Sequence, residues 1–227
     1  MARSLVVADP GLADAGFVGD ELRRRGFVST RLDRAEPAGW PQLDGVDLLL
    51  LLGSDGHVHE PARSAVIEAE ARLAWTAHRM GVPIFAICYG AQLLSHALGG
   101  QVRRASHVEI GWHLIEPIAP VDPTDPVVAS GPWMQWHGDT FTVPADGELL
   151  ARSDVGPQAF RIGRSFGVQF HPEVGLDTIE RWVADDGGRE LGPAGIDRVE
   201  LIERSRAEVE HSEARARWLV RWFCEQV

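Results

Sequence analysis

Cys88 stands where an apolar run ends and a helical pattern begins. Pro83-Ile84-Phe85-Ala86-Ile87 leads into it, Tyr89-Gly90-Ala91 follows, and a short helix is expected from Gln92 to Leu98, closed by Gly99-Gly100. One reactive side chain on a strand-turn-helix junction is the geometry of a nucleophile elbow. Such a turn needs small side chains two residues before and after the nucleophile, and Ala86 and Gly90 supply them. At a helix N-terminus the macrodipole and the free N–H groups favour an anion, and in such places a thiol pKa of about 8.5 falls to roughly 3.5–7.5. Taken alone, a cysteine in an apolar strand is more often a small buried residue.

A second constellation lies far along the chain, in Val168-Gln169-Phe170-His171-Pro172-Glu173. In extended backbone, residues two apart face the same side, and Pro172 biases His171 toward extended geometry. His171 and Glu173 therefore point together, one as a base and the other as the group that orients it. With a cysteine they make the nucleophile, base and orienter of a catalytic triad.

The elements that must carry these residues follow from hydrophobic pattern. Leu5 to Ala8 reads as a strand ending at the turn Asp9-Pro10-Gly11. A helix is expected from about Ala13 to Arg25, with Gly26 as its stop. Phe27 to Leu32 is a second strand. Val46 to Leu52 is a third, almost wholly apolar, as in a strand buried on both faces; the loop Gly53-Ser54-Asp55-Gly56 follows. Pro61 opens a long helix that Gly81 closes. Strands alternating with helices predict an α/β fold with a mostly parallel central sheet and helices on both faces. The second half reads as shorter strands, Gln101 to Ile118, Trp133 to Val143, Glu148 to Ser153, Gln158 to Ile162 and Phe166 to Phe170. Their turn residues are Pro120, Pro123, Pro126, Gly138, Asp146-Gly147, Gly156-Pro157 and Gly163. These predict a small antiparallel layer and late strands of the main sheet. Residues from about Leu176 onward read as helical, broken at Asp185-Asp186-Gly187-Gly188. No repeat or linker interrupts the chain, so one domain over 1–227 is expected, with a C-terminal helical extension over about 190–227.

The 227 residues suffice for one core, and a formal net charge of −11 disfavours nucleic acid, whose phosphates call for a basic surface. Two distant cysteines make no disulfide framework. The N-terminus reads as a first strand rather than a targeting segment, and no apolar run approaches transmembrane length. A cytoplasmic location with no membrane partner is the expectation.

Ile87-Cys88-Tyr89-Gly90-Ala91-Gln92 and Phe170-His171-Pro172-Glu173-Val174 resemble the two signature segments of class I glutamine amidotransferases, in order and in separation. Leu98-Gly99-Gly100-Gln101-Val102 and Glu109-Ile110-Gly111-Trp112 resemble the segments that follow the elbow. Trp136-His137-Gly138-Asp139 resembles the His-Gly-Asp segment of the amidotransferase domain of GMP synthase and its free-standing relatives. The resemblance covers roughly residues 45 to 185 and implies a flavodoxin-like architecture. It also implies roles. Cys88 attacks the side-chain amide of glutamine; His171 is general base, then acid toward departing ammonia; Glu173 holds the imidazole. Tyr89 and Ser54 offer backbone N–H groups to the oxyanion, a donor being worth about 10²–10³ in rate. Gly53, Gln92, His137 and Gly138 meet the substrate. No cofactor or metal is implied.

One departure bears on the mechanism. The family usually has Gly-Gly-Pro where this chain has Gly53-Ser54-Asp55, which reduces the backbone freedom of the oxyanion loop. The departure leaves open whether that loop is preformed and whether free glutamine is the substrate. Neither a Gly-x-x-x-x-Gly-Lys-Ser/Thr phosphate loop nor a Ser-Gly-Gly-x-Asp-Ser segment is present. The chain is therefore expected either to need a separate synthase subunit as ammonia acceptor or to act alone. The competing readings are a hydrolase of γ-glutamyl amides or peptides and a non-catalytic regulatory or scaffolding module.

Other residues are assigned no chemistry. His57 and His59, with Glu60, can ligate zinc, but the sequence suggests no further ligand, and they read as exposed loop residues. His137 reads equally as a histidine satisfying loop backbone. Trp133 and Trp136 read as packing. Cys224, among Trp218, Leu219, Trp222 and Phe223, reads as inert, and Glu200, Glu203, Arg204, Arg206 and Glu208 as a solvated helix face.

Overall fold

The structure, a computed structural model, describes residues 1–10, 15–118, 131–186 and 188–227. In chain order its elements are β1 (Ala2–Ala8), α1 (Gly16–Arg24), β2 (Phe27–Asp33), β3 (Leu48–Leu51), α2 (Ser64–Arg79), β4 (Ile84–Ile87), α3 (Tyr89–Ala97), β5 (Val102–His113), β6 (Glu116–Pro117), β7 (Trp133–Phe141), β8 (Glu148–Ser153), β9 (Gly156–Ile162), β10 (Ser165–Val168), α4 (Leu176–Asp185) and α5 (Arg198–Gln226). The expected turn residues Gly11, Pro120, Pro123 and Pro126, the expected helix start at Ala13 and the breaker Gly187 lie outside the described residues.

Eight strands form the main sheet in the order β2-β1-β3-β4-β10-β9-β8-β6. The run from β2 to β10 is parallel, and β9, β8 and β6 add antiparallel strands at one side. The predicted α/β fold with a mostly parallel sheet is the fold observed, and β5 and β7 form the small antiparallel layer.

Strands β3 and β4 are apolar at every position because both faces are covered. Leu5, Val7, Leu49, Leu51, Ile84 and Ala86 face one side and pack against Ile67, Ala74 and Ala77 of α2 and Leu93 and Leu94 of α3. Val6, Ala8, Leu48, Leu50, Phe85 and Ile87 face the other, against Val18 and Leu22 of α1 and Leu219, Val220 and Phe223 of α5. The period-two alternation of strand side chains thus divides one apolar run between two cores. A third cluster joins Ile110, Trp112 and Met134 of the β5–β7 hairpin to Ile179 and Val183 of α4 and Leu201 of α5.

Three expectations are corrected. The elbow helix starts at Tyr89 rather than Gln92. Gly138 lies inside β7 and is no turn. Gly156 and Pro157 open β9, paired with Ser153 and Arg152; the β8–β9 turn falls on Asp154-Val155. Pro157 is tolerated because a strand's first residues need not donate. Helix α5 is capped by Asp197, whose carboxylate accepts from the N–H groups of Val199 and Glu200. Its Glu200, Glu203, Arg204 and Arg206 are exposed, as expected of a solvated face. Among the described residues, no helix is long and apolar enough to cross a membrane.

Candidate active site

The carboxyl ends of β3, β4 and β10 lie side by side, and each delivers one part of the site. In open α/β sheets this is the end at which ligands bind. Cys88 follows β4 directly. Its φ of 52° is the one positive φ of a non-glycine residue among those described, a strained conformation of the kind that clusters at functional sites. The Cys88 N–H donates to the Val168 carbonyl at 2.8 Å, and its own carbonyl accepts from the Gln92 N–H at 3.0 Å. The tight turn forces α3 against β3. A Cβ on Gly90 would lie 2.3 Å from the Leu51 carbonyl oxygen, so only glycine fits there. The first N–H groups of α3 have no intrahelical acceptor and are available at the thiol.

His171 and Glu173 follow β10, with Pro172 and Glu173 in a turn rather than in the extended backbone expected. The His171 Nδ1 lies 2.7 Å from Glu173 Oε1, and both residues are buried. The Cys88 sulfur acts on the charge of the ring and itself accepts from Gln169 Nε2 at 3.5 Å. Burial by itself would lower the His171 pKa, but the Glu173 carboxylate and the Cys88 sulfur outweigh it and push it well above the ordinary histidine range. Trp182 of α4 stands edge-on to the imidazole at 4.9 Å. The backbone at Glu173 is braced by the start of α1. Phe17 N–H donates to the Glu173 carbonyl at 3.0 Å, and a Cβ on Gly16 would lie 1.8 Å from that oxygen. A cysteine at an elbow, and an imidazole held by a carboxylate on the same cavity, make an arrangement able to attack an electrophilic carbonyl.

Gln169 is a further contributor. Its Nε2 donates to Cys88 Sγ at 3.5 Å, and its Oε1 accepts from Gln92 Nε2 at 3.1 Å. Gln92 is itself buried. It also lines the cavity, so its amide both faces that space and holds Gln169. The one signal for Gln169 in the sequence is its position two residues before His171.

The loop after β3 is pinned from beneath. Arg34, with no solvent exposure, donates to the carbonyls of Gly53 at 3.0 Å and Leu52 at 2.8 Å. Its Nε pairs with Glu70 at 2.9 Å and its Nη1 with Asp9 at 2.9 Å. Ser54 Oγ accepts from the Gly56 N–H at 3.0 Å. A Cβ on Gly53 would lie 3.2 Å from His171 Cε1, close enough to press on the imidazole. Nothing local in the sequence marks Arg34, which reaches this loop from the end of β2.

His137 is buried, with Nδ1 at 3.0 Å from the Asp139 carbonyl and Nε2 at 3.1 Å from Glu109. Burial would raise the Glu109 pKa, but its contacts with His137 and Ser153 lower it overall. His137 thus satisfies backbone and also borders the cavity, as does Gly138.

The cavity measures about 340 Å³. The loop Gly53–His57, Cys88 and Tyr89, Trp136–Asp139, His171 and Glu173 form one side; α4 and the segment after it, with Arg181, Trp182, Arg189 and Glu190, form the other. Trp136 belongs to this wall and meets Trp182 edge-on at 5.6 Å, so its reading as plain packing is too narrow. Trp133 does pack, fully buried and stacked on Phe170 at 4.5 Å. Cys224 is half-buried, and burial pushes its thiol pKa up. His57 is half-buried and His59 exposed, and both lie beside Asp139.

Comparison with known proteins agrees with this geometry. The model of the family described as glutamine amidotransferase class-I matches residues 20–187. Among curated relatives, a GMP synthase (glutamine-hydrolysing) of Aeropyrum pernix is 29% identical over 227 aligned positions, covering 90% of this chain and 40% of that protein. Its namesake in Thermomicrobium roseum is 37% identical over 133, covering 56% and 23%. The chain therefore spans less than half the length of these relatives. A solved glutamine amidotransferase from Thermotoga maritima superposes with a TM-score of 0.85 at 28% identity, covering 99% of this chain and 98% of that one.

Proposed function

The chain belongs to the class I glutamine amidotransferase family, and we propose that it hydrolyses the side-chain amide of L-glutamine through a thioester on Cys88. The observation that carries this reading is the placement of Cys88, at positive φ on its elbow, beside the His171–Glu173 hydrogen bond at the carboxyl end of the parallel sheet.

In the proposed reaction the Cys88 sulfur attacks the amide carbon. The carbonyl oxygen becomes an oxyanion and takes hydrogen bonds from the backbone N–H groups of Tyr89 and Ser54. The imidazolium of His171 gives its proton to the amide nitrogen as the C–N bond breaks, and ammonia leaves. Neutral His171 then takes a proton from water, which adds to the γ-glutamyl thioester. Collapse of that second tetrahedral state breaks the C–S bond, releases the γ-carboxyl product glutamate and leaves the Cys88 thiolate beside the imidazolium that holds water's proton. Glu173 holds the ring throughout. Gln92, Gly53 and the His137-Gly138 backbone contact the amino-acid end, and the ammonia passes to a separate synthase subunit. The family relationship supports that last step.

The test is ammonia and glutamate release from glutamine by the purified chain, alone and with cell extract, against Cys88→Ala. Cys88-dependent release is expected; its absence in both conditions refutes the proposal. One observation favours a second reading, a γ-glutamyl amide hydrolase. The cavity of about 340 Å³ falls within the roughly 300–1,000 Å³ typical of sites for drug-sized ligands and extends to α4. Turnover of larger γ-glutamyl amides without turnover of glutamine selects that alternative.

A further inference from the structure

His57 and His59 lie on the loop that also carries Gly53 and Ser54. The loop's path across the top of the sheet brings both imidazoles to Asp139 of β7. His57 Nδ1 is 2.8 Å from Asp139 Oδ2, and His59 Nδ1 is 3.7 Å from the same oxygen. The two rings stack at 5.4 Å between centroids. One donor atom from each of the three residues falls within 4.8 Å of the others. Asp139 is 3% exposed, and its Oδ1 has no hydrogen bond among the described residues. A buried carboxylate left short of partners is costly unless a cation compensates it.

The adjoining cation is Arg104. Its Nη1 is 3.3 Å from Asp139 Oδ1 and its Nη2 is 3.2 Å from His57 Nε2, on a side chain that is 62% exposed. An arginine so exposed contributes little to holding a buried anion and can swing into solvent.

We propose that His57, His59 and Asp139 form a binding site for a divalent transition-metal ion of the zinc class, with a fourth position open to solvent or ligand. Two imidazole nitrogens and one carboxylate oxygen match the donor preference of such ions, and three protein ligands with an open position is a recurrent zinc arrangement. Ligands about 2.0–2.1 Å from a tetrahedral ion are roughly 3.3 Å apart, and the two measured separations, 2.8 and 3.7 Å, fall on either side of that value. Small rotations of two surface imidazoles close the difference. Bound there, the ion cross-links the Gly53–Ser54 loop to the strand that carries His137, and it displaces the Arg104 guanidinium from His57.

A catalytic thiol also takes up zinc, so the test uses the full chain carrying Cys88→Ser. Titration with Zn²⁺ by calorimetry, and with Co²⁺ by absorption, is expected to give one ion per chain. The Co²⁺ spectrum should lack a thiolate charge-transfer band. His57→Ala and His59→Ala, both surface changes that leave the fold intact, should each weaken binding at least tenfold, and Arg104→Ala should tighten it. Absence of stoichiometric binding, a thiolate band, or affinity unchanged in both histidine variants overturns the proposal. No glutamine enters this titration, so its outcome is independent of the hydrolysis assay.

Discussion

Arg34 donates a hydrogen bond to the carbonyl oxygen of Gly53 at 3.0 Å from a site with no solvent exposure. The peptide unit is planar and trans, so its C=O and N–H point in opposite directions. Anchoring the Gly53 oxygen beneath the loop turns the Ser54 N–H away from Arg34. The serine that replaces a more flexible family residue is therefore held by a buried cation rather than by its own backbone freedom.

Arg34→Met removes that anchor and strands Glu70 in the core. Breaking a buried ion pair by removing one partner costs about 3–5 kcal/mol, and urea unfolding should read a loss of that size. Glu70→Gln keeps a neutral partner for Arg34 and should cost less. In the variant that folds, glutamine turnover should fall more than alkylation of Cys88, because the thiol does not depend on Ser54.

Gln169→Leu deletes the hydrogen bond to Cys88 Sγ at 3.5 Å. A hydrogen bond to a charged group is worth about 1.5–3 kcal/mol, or roughly ten- to a hundredfold in rate. Iodoacetamide alkylation of Cys88 at neutral pH should slow by the lower part of that range. Unchanged alkylation would mean that Gln169 only packs.

Glu173→Gln tests the origin of the raised His171 pKa. Burial opposes the charged ring, and the Glu173 carboxylate and Cys88 sulfur overcome that opposition. A pKa raised by folding contributes stability that is fully present below the unfolded value, about 6.5, and is lost as pH rises through the folded value. The stability deficit of Glu173→Gln in urea titrations should therefore be largest near pH 6 and shrink in alkaline solution. The alkaline limb of glutamine hydrolysis should move to lower pH. A deficit that grows with pH would contradict this assignment.

Gly90→Ala places a methyl group 2.3 Å from the Leu51 carbonyl oxygen. Backbone must shift to admit it, at about 1–3 kcal/mol. For a chain of this size each kcal/mol lowers Tm by roughly 2–4 °C, so calorimetry should show a fall of several degrees.

The sequence by itself determined the local geometry here. The short spacing of His171 and Glu173 kept base and orienter together, though through a turn rather than a strand, an apolar run against a helical one marked the elbow at Cys88, and strands alternating with helices required a parallel sheet. Each is a short-range property, legible because local spacing and backbone periodicity set which side chains lie together. Tertiary structure decided the pairings across the chain. Arg34 reaches Gly53 across 19 positions, His57 meets Asp139 across 82 and Gln169 meets Cys88 across 81. No periodicity encodes such contacts. They follow from the order in which β3, β4 and β10 lie beside one another and from where the β5–β7 hairpin folds over their ends. For that reason His57 and His59 read as an incomplete ligand pair along the chain, and acquire a third donor only once Asp139 is brought against them.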